Sequence, residues 1–228
     1  MADSMKPPGE TRLTEEPTTP TDDRRETAAY LAPYRAALDR HGAGFRATLW
    51  GSRETQLLRF AVMCELAPLD GCTILDVGCG QGDFAVYLHD LGVRFRQFIG
   101  VDAMEDMIEQ AKGRALERCR FHAADLLRDS SWLNAAGADW ITISGTLNTM
   151  EEPTAQGLVE TCFRAAQQGV IFNFLSNRAH EKWLEKNLAP ARRFHTVRWI
   201  DWALTLSPNV SFTQDYLEGH DATILVKH

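Results

Sequence analysis

The 228-residue chain has no long hydrophobic run and no pair of cysteines at C-x-x-C spacing. A membrane-spanning helix needs about 20 consecutive apolar residues, so we expect no membrane partner. The five cysteines are odd in number, and neither they nor the His, Asp and Glu residues cluster at metal-ligand spacing. We therefore expect reduced thiols, no bound metal and a cytoplasmic location.

Positive charge is also scarce, because 24 lysines and arginines face 31 aspartates and glutamates, for a formal net charge of -7. An acidic surface repels phosphate backbones, so a nucleic-acid partner is disfavoured. Arg192, Arg193 and Arg198 form a local basic cluster, which we interpret as a solvated helix face. With 44% hydrophobic and 24% charged residues, the chain is expected to form a soluble globular protein. Nothing in the sequence indicates an oligomeric state.

Three regions differ in composition and pattern. Residues 1–25 are rich in Thr, Pro, Asp and Glu, which predicts a disordered tail. Residues 26–68 predict a helical cap, with one helix at 26–38 interrupted by Pro33 and another at 53–66. Residues 69–228 alternate strand and helix patterns, which predicts an α/β domain with a mostly parallel sheet and helices on both faces.

The secondary structure expected for this domain follows from apolar runs and helical spacing. Strands are predicted at 73–77, 97–102, 120–122, 139–144, 169–175, 209–216 and 221–227. Helices are predicted at 83–91, 104–116, 131–135, 154–168, 179–187 and 196–206. Trp183, Trp199 and Trp202 are interpreted as core side chains rather than as the wall of a ligand pocket.

The most informative segment is residues 73–84, which read TILDVGCGQGDF. An apolar strand breaks into Gly78, Gly80 and Gly82, and a helical pattern follows. Glycines at such a turn let the chain reverse sharply and let a ligand approach the main chain closely. Free N–H groups at the start of the helix favour a polar or anionic ligand group. The segment therefore predicts a nucleoside-containing cofactor at the carboxyl end of the first strand.

The glycine spacing distinguishes two cofactor classes. The dinucleotide fingerprint G-x-G-x-x-G would need its third glycine at position 83, where this chain has Asp83. Preceded by Asp76, the Gly78-x-Gly80-x-Gly82 pattern resembles motif I of the class I S-adenosylmethionine-dependent methyltransferases.

Three further segments extend the resemblance. Residues 98–111 contain an apolar strand ending in Asp102, about 20 residues past the loop, where a carboxylate that binds ribose hydroxyls is expected. They resemble the second motif of the family, residues 121–126 resemble the third, and residues 139–148 resemble the fourth strand and its active-site loop.

The resemblance implies a Rossmann-like sheet of seven strands, mostly parallel with the last strand antiparallel, and an N-terminal helical lid. It implies S-adenosylmethionine as cofactor and S-adenosylhomocysteine as product. The residues it assigns to the cofactor are Asp76, Gly78, Cys79, Gly80, Gly82, Phe84, Asp102, Ala103, Met104, Asp125, Leu126, Ser144 and Gly145. Arg53 in the lid is a candidate for the methionine carboxylate, with a surface helix residue as the alternative.

Several of these residues also have a purely structural interpretation. Asp102 has the residue type of a helix N-cap, Asp125 that of a surface turn, and Met104 that of a core side chain. Asp76 is able to cap the turn as well as support the cofactor.

The activity we expect is methyl transfer to an oxygen or nitrogen of a small-molecule acceptor by in-line displacement. The loop at 144–148 lacks the Asn/Asp-Pro-Pro-aromatic sequence of DNA and protein-glutamine N-methyltransferases. Candidates for a catalytic role are His122, His180 and Asn148, with His195, His220 and Asp215 as further titratable groups, and Tyr30 and Tyr34 are candidates for lining the acceptor pocket.

The alternatives are a non-catalytic protein that binds S-adenosylmethionine, a nicotinamide-dependent oxidoreductase, and an RNA methyltransferase. The glycine spacing argues against the oxidoreductase, and the net charge argues against an RNA acceptor.

Overall fold

A seven-stranded sheet forms the centre of the structure, a computed structural model that describes residues 29–228. The strands are β1 (Thr73–Val77), β2 (Gln97–Asp102), β3 (Cys119–Ala123), β4 (Trp140–Ile143), β5 (Gly169–Leu175), β6 (Asn209–Thr213) and β7 (Asp221–Lys227). Their order across the sheet is β3-β2-β1-β4-β5-β7-β6. The strands from β1 to β5 pair in parallel, and β7 is inserted antiparallel between β5 and β6. The predicted fold class is therefore confirmed.

The helices of the described region lie between the strands and ahead of the sheet. They are α1 (Ala32–His41), α2 (Arg53–Leu66), α3 (Asp83–Asp90), α4 (Glu105–Gly113), α5 (Ser131–Ala135), α6 (Glu152–Ala165), α7 (Glu181–Leu184) and α8 (Thr196–Leu206). Short 3₁₀ turns occupy Phe45–Thr48, Leu147–Thr149 and Leu217–Gly219.

Two predicted helix boundaries differ from the observed ones for a backbone reason. Pro33 does not interrupt α1 but lies in its first turn, where a missing N–H costs nothing. The helix predicted at 104–116 ends at Gly113, because Ala115 adopts a left-handed conformation with φ +49°.

Apolar side chains on both faces of the sheet explain the layered packing. Leu75 and Val77 of β1 belong to the cluster that also contains buried residues of α6 and α8. Ile74 belongs to the opposite cluster, together with Phe60 of α2 and Phe84 of α3. Alternate residues of a strand point to opposite faces, and burying each such side chain stabilises the fold by about 1.5–3 kcal/mol.

The segment from residue 29 to α2 covers the carboxyl ends of the strands. The hydroxyl of Tyr34 donates to the carbonyl of Gly145 in the loop after β4. Ser52 caps the N-terminus of α2 by accepting from the N–H of Thr55, and α2 then presents Arg59 to β7. The predicted tail at 1–25 lies outside the described residues, and the proposed boundary between cap and sheet domain at 68/69 stays a prediction.

No helix among residues 29–228 combines the length and the hydrophobicity that crossing a bilayer requires. Within the same residues, no group of three or more His, Cys, Asp or Glu side chains is arranged to hold a metal ion. All five cysteines lie in this region as free thiols. The expected cytoplasmic location stays a prediction.

Candidate functional site

A cavity opens at the carboxyl ends of β1, β2 and β4, beneath the N-terminal segment. It encloses about 890 Å³ of empty space, including the part open to solvent. The residues of the expected cofactor site that line it are Asp76, Gly78, Cys79, Gly80, Phe84, Asp102, Ala103, Met104, Leu126, Ser144 and Gly145. The sheet topology thus brings together side chains from loops that lie up to about 70 residues apart in sequence.

The glycine loop is held against the loop that follows β4. Gly78 has a φ of +71°, and a Cβ atom at this position would overlap the hydroxyl of Thr146. That hydroxyl donates to the carbonyl of Val77, so the two loops pack directly on one another. Gly80 has a φ of +53°, but the nearest atom to its Cβ position is 4.0 Å away, on Thr48. Its missing side chain leaves open space at the cavity wall.

Asp102 connects the glycine loop to the end of β2. Its Oδ2 accepts from the N–H of Gly80 and its Oδ1 accepts from the N–H of Met104, both at 2.8 Å. Burial raises the pKa of this carboxyl group. Each carboxylate oxygen has a second lone pair, so Asp102 is able to accept from a pair of neighbouring hydroxyls in the cavity while still ordering the loop.

Asp76 lies deeper, on β1. Its Oδ1 accepts from the hydroxyl of Thr142 on the adjacent β4 at 2.7 Å. Burial, and to a smaller extent the negative charge of Asp102, raise the pKa of Asp76 to about 7. Two buried carboxylates in one wall favour a positively charged ligand group, since a cation nearby would relieve the cost of ionising them.

Asp125 does not line the cavity, because its partners hold it at the edge. Its Oδ1 accepts from the hydroxyl of Tyr30 at 3.0 Å and from the N–H of Leu127 at 3.1 Å. Tyr30 lines the cavity instead, and burial raises the pKa of its phenol. The N-terminal segment and the loop after β3 are therefore tied together across the cavity mouth.

Gly82 and Arg53 also lie away from the lining. A Cβ atom on Gly82 would come within 2.9 Å of the ring of Phe121, so this glycine permits close packing against β3. The guanidinium of Arg53 pairs with Asp83 at 3.0 Å and donates to Gln56. Arg53 therefore does not line the cavity itself but pairs with two residues that do, Gln56 and Asp83.

The catalytic candidates have other partners. The ring of His122 packs on Trp132 with 4.6 Å between ring centroids, and burial lowers its pKa. His180 is exposed and caps α7 by accepting from the N–H of Lys182. The amide of Asn148 donates to the carbonyl of Arg192 and accepts from the N–H of Leu175. Neither histidine lines a cavity described here, and Asn148 is committed to holding backbone.

A second cavity adjoins the first, and Tyr34, a predicted pocket residue, lines it. It encloses about 1370 Å³ of empty space, again including open solvent. The two cavities share the residues Tyr34, Thr48, Trp50 and Gly145. A Cβ atom on Gly145 would overlap the indole of Trp50, so the bare glycine lets this ring lie flat at the junction.

The far wall of the second cavity contains Arg59, Trp183, Lys186, His220 and Asp221. The guanidinium of Arg59 donates through Nε and Nη2 to the two carboxylate oxygens of Asp221 at 2.7 and 2.6 Å. These residues are up to 162 positions apart in sequence, which is why no local pattern indicated that they meet.

Two sequence interpretations are wrong here. Trp183 is a wall residue, because the four-residue helix α7 places it over the cavity, whereas Trp199 is fully buried in the core. Arg193 does not lie on a solvated helix face. Its guanidinium donates inward to the carbonyls of Ser176 and Trp183, both at 2.7 Å.

The sequence matches the family model described as "Methyltransferase domain" over residues 68–200, which is more than half of the chain. The chain belongs to this methyltransferase family. The predicted family and the predicted enzyme class, a transferase, are thereby confirmed.

Several solved structures have the same fold as this methyltransferase. The magnesium protoporphyrin IX methyltransferase ChlM of Synechocystis PCC 6803, solved with bound S-adenosylmethionine, has a TM-score of 0.62 at 15% identity, and the match covers 93% of this chain and 100% of that one. The DhpI complex with S-adenosylhomocysteine has a TM-score of 0.62 at 16% identity, covering 88% and 95%. The methyltransferase domain of bacterial CtHen1 has a TM-score of 0.60 at 19% identity, covering 76% and 99%. At these identities the likeness shows the fold alone.

A curated relative matches the methyltransferase over a shorter stretch. It is the 23S rRNA (uracil(1939)-C(5))-methyltransferase RlmD of Shewanella sp. (strain MR-4), 40% identical over 70 residues. The match covers 29% of this chain and only 15% of the relative. The substrate of that larger protein therefore does not transfer to this one by similarity.

Proposed function

We propose that this protein transfers a methyl group from S-adenosylmethionine to an oxygen or nitrogen atom of a small molecule held in the second cavity. The observation that carries the proposal is the junction between the two cavities, where Tyr34, Trp50 and Gly145 belong to both walls. A ligand in each cavity would meet there, which is the arrangement that transfer between two bound molecules requires.

The residues of the first cavity fit S-adenosylmethionine. The open space at Gly80 allows the main chain to be approached closely. Asp102 offers carboxylate oxygens suited to a ribose diol, and Met104 and Leu126 offer apolar surface suited to an adenine ring. Asp76 adds buried negative charge, which suits the cationic part of this cofactor.

When bound, S-adenosylmethionine would supply a methyl carbon on cationic sulfur, with sulfur keeping the electrons of the broken S–C bond and the proton of the acceptor leaving to solvent through the open side of the second cavity. The protein's own part is to orient the two ligands, which is able to supply about 7–11 kcal/mol of the barrier. Tyr34 and Trp50 lie at the junction, and their electron-rich rings favour a cation nearby.

A general base is not provided by the junction. Burial raises the pKa of Tyr34 to about 12, and its hydroxyl donates to the carbonyl of Gly145. His220 in the far wall has its Nδ1 occupied by Arg193. We therefore propose that the acceptor itself has a readily lost proton or a free lone pair.

An RNA acceptor is the second candidate, favoured by the RNA substrates of RlmD and of the small RNA methyltransferase HEN1. The structure of HEN1 has a TM-score of 0.60 at 17% identity, and the match covers 78% of this chain and 26% of that one. The net charge of -7 argues against it, because a phosphate backbone would be repelled. A non-catalytic cofactor-binding protein is the third.

The test begins with calorimetric titration of the full chain with S-adenosylmethionine, S-adenosylhomocysteine and NADH. We expect micromolar binding of the first two and no binding of NADH. Asp102→Ala should lose both adenosyl ligands, while Asp106→Ala, which removes the same charge from an exposed position on α4, should keep them. Failure of the folded wild-type protein to bind either adenosyl ligand would refute the proposal.

Radiolabelled methyl transfer then separates the three candidates. Label should enter pools of small hydroxylated or amino compounds and not total RNA. Label in RNA would support the second candidate, and tight cofactor binding with no transfer to either pool would support the third.

A further inference from the structure

The second cavity has an unbalanced positive charge in a chain that is acidic as a whole. Among the described residues that line it, the ionised side chains are Arg59, Lys186 and Asp221. Arg59 and Asp221 neutralise one another through their two-bond pair. Lys186 forms no ion pair with a described residue and lies with its ammonium 4.0 Å from the ring centroid of Trp183. The wall therefore offers one positive charge without a partner.

His220 adds a hydrogen-bond donor of fixed position. Nη2 of Arg193 lies 3.0 Å from Nδ1 of His220, and because arginine only donates, Nδ1 must accept. The hydrogen of the neutral ring is then on Nε2. Burial and the positive charges of Arg193 and Arg59 lower the pKa of His220 to about 3, so the ring stays neutral near pH 7. The ring is further held by stacking on Trp183, with centroids 4.2 Å apart.

The remaining wall is aromatic and flat. Trp50 lies between Gly145 and the guanidinium of Arg59, which is 4.8 Å from the ring centroid. Trp183 is fixed between His220 and Lys186. Side chains held in this way are rigid, and the parts of the two indoles that border the cavity suit an apolar ring.

We propose, on the basis of the function proposed above, that the acceptor is a small hydroxy- or amino-substituted aromatic carboxylate. Its carboxylate lies at Lys186 and the Nε2–H of His220, and its ring lies against the edge of Trp183, since His220 and Lys186 cover the two faces of that indole. Its hydroxyl or amino group lies at the junction formed by Tyr34, Trp50 and Gly145. Lys186 and His220 are the specificity-determining residues.

Binding of a matched pair of ligands tests this assignment on the full chain loaded with S-adenosylhomocysteine. The probes are 4-hydroxybenzoate, 4-aminobenzoate and 6-hydroxy-2-naphthoate, each compared with its neutral carboxamide by calorimetry. We expect at least one carboxylate to bind roughly tenfold more tightly than its amide, the effect of one charge-assisted hydrogen bond. Equal affinity within every pair, or no binding of any carboxylate, would overturn the assignment.

Two lysine variants test which side chain supplies the positive charge to the carboxylate. Lys186→Gln should lower the affinity for the carboxylate roughly tenfold, to that of the amide. Lys182→Gln is the matched control, because Lys182 lies four residues before Lys186, pairs with Glu218 and does not line the cavity. Equal losses in the two variants would contradict a specific site.

The histidine is tested by its donor atom. His220→Gln keeps an N–H donor and should retain most of the affinity for the carboxylate, whereas His220→Leu should lose it. Equal behaviour of these two variants would remove His220 from the assignment.

The cofactor affinity keeps the two proposals separable. S-adenosylhomocysteine should bind with unchanged affinity to the Lys186 and His220 variants, since neither residue lines the first cavity. If the folded wild-type protein does not bind S-adenosylhomocysteine, the proposed function is refuted. Intact cofactor binding without selectivity for a carboxylate would refute only the acceptor class, as would displacement of the carboxylate by an RNA oligonucleotide.

Discussion

The carboxylate of Asp102 accepts a hydrogen bond from the backbone N–H of Gly80 at 2.8 Å. This bond joins the end of β2 to the glycine loop that follows β1, and it holds the loop open toward the first cavity. One side chain therefore both shapes the loop and offers its remaining lone pairs to a ligand. Four predictions concern this loop, the neighbouring carboxylate and the far wall of the second cavity.

Gly80→Ala should abolish cofactor binding at a small cost in stability. A methyl group at this position enters open space at the cavity wall rather than striking protein. The left-handed φ of +53° costs an alanine about 1–2 kcal/mol. Gly92→Ala is the control, because Gly92 has a φ of +77°, has no neighbour within 4 Å of its Cβ position and lies outside the cavity. Both variants should lose similar stability in urea, and only Gly80→Ala should lose S-adenosylhomocysteine in calorimetry.

Asp221→Asn should destabilise the protein by about 3–5 kcal/mol, because it leaves the guanidinium of Arg59 buried opposite a neutral amide. The two side chains are only 6% and 2% exposed. Asp70→Asn breaks an exposed pair with Arg94, which water and salt screen, and should cost far less. Urea unfolding at pH 7 measures the free energy of unfolding of both variants. Similar losses would show that the buried pair stabilises the fold no more than the exposed pair does.

The pKa of His220, lowered to about 3 in the fold, predicts a loss of stability in mild acid. The unfolded chain binds a proton below about pH 6.5 while the folded ring stays neutral, so stability is fully present above that pH and falls as the pH drops toward 3. At pH 5 the loss from this residue is about 2 kcal/mol.

The variant His220→Gln isolates this contribution. The free energy of unfolding of the wild type and of the variant is measured in urea at pH 7.5 and at pH 5. Between these two pH values the wild type should lose about 2 kcal/mol more than the variant. A difference that does not change with pH would contradict the neutral, buried ring.

Asp76, with a pKa raised to about 7, predicts a pH-dependent preference between the two adenosyl ligands. Its carboxyl group is mostly neutral at pH 6 and mostly ionised at pH 8. The ionised form attracts the sulfonium of S-adenosylmethionine, which S-adenosylhomocysteine lacks. The ratio of the two affinities should therefore rise in favour of S-adenosylmethionine as the pH passes through 7. Asp76→Asn, which keeps an acceptor for Thr142, should remove this trend; its persistence would assign it to another group.

Local sequence patterns predicted most of the fold because strands and helices have characteristic spacings of apolar residues. The strand β1 and the segment Gln97–Asp102 have the predicted bounds. The boundaries that differ, such as the end of α4 at Gly113, depend on a backbone conformation at Ala115 that its residue type does not announce.

Most of the residues expected at the cofactor do line the first cavity. The glycines and Asp102 lie close in sequence or at a spacing typical of the family, so their meeting at one sheet edge follows from strand order. Asp125 was expected at the cofactor because residues 121–126 resemble the family's third motif, and Arg53 because it lies in the expected lid. Their positions depend on tertiary partners, Tyr30 for Asp125 and Asp83 for Arg53.

The sequence by itself determined the α/β architecture, the methyltransferase family and the loop from Gly78 to Gly82, because each depends on residues near one another along the chain. Only the tertiary structure decided what lines the second cavity. Arg59 meets Asp221, and Arg193 fixes the ring of His220, across separations of 162 and 27 residues. Such contacts arise when β7 is inserted beside β5 and the helical segment closes over the sheet, and no pattern in neighbouring residues encodes them.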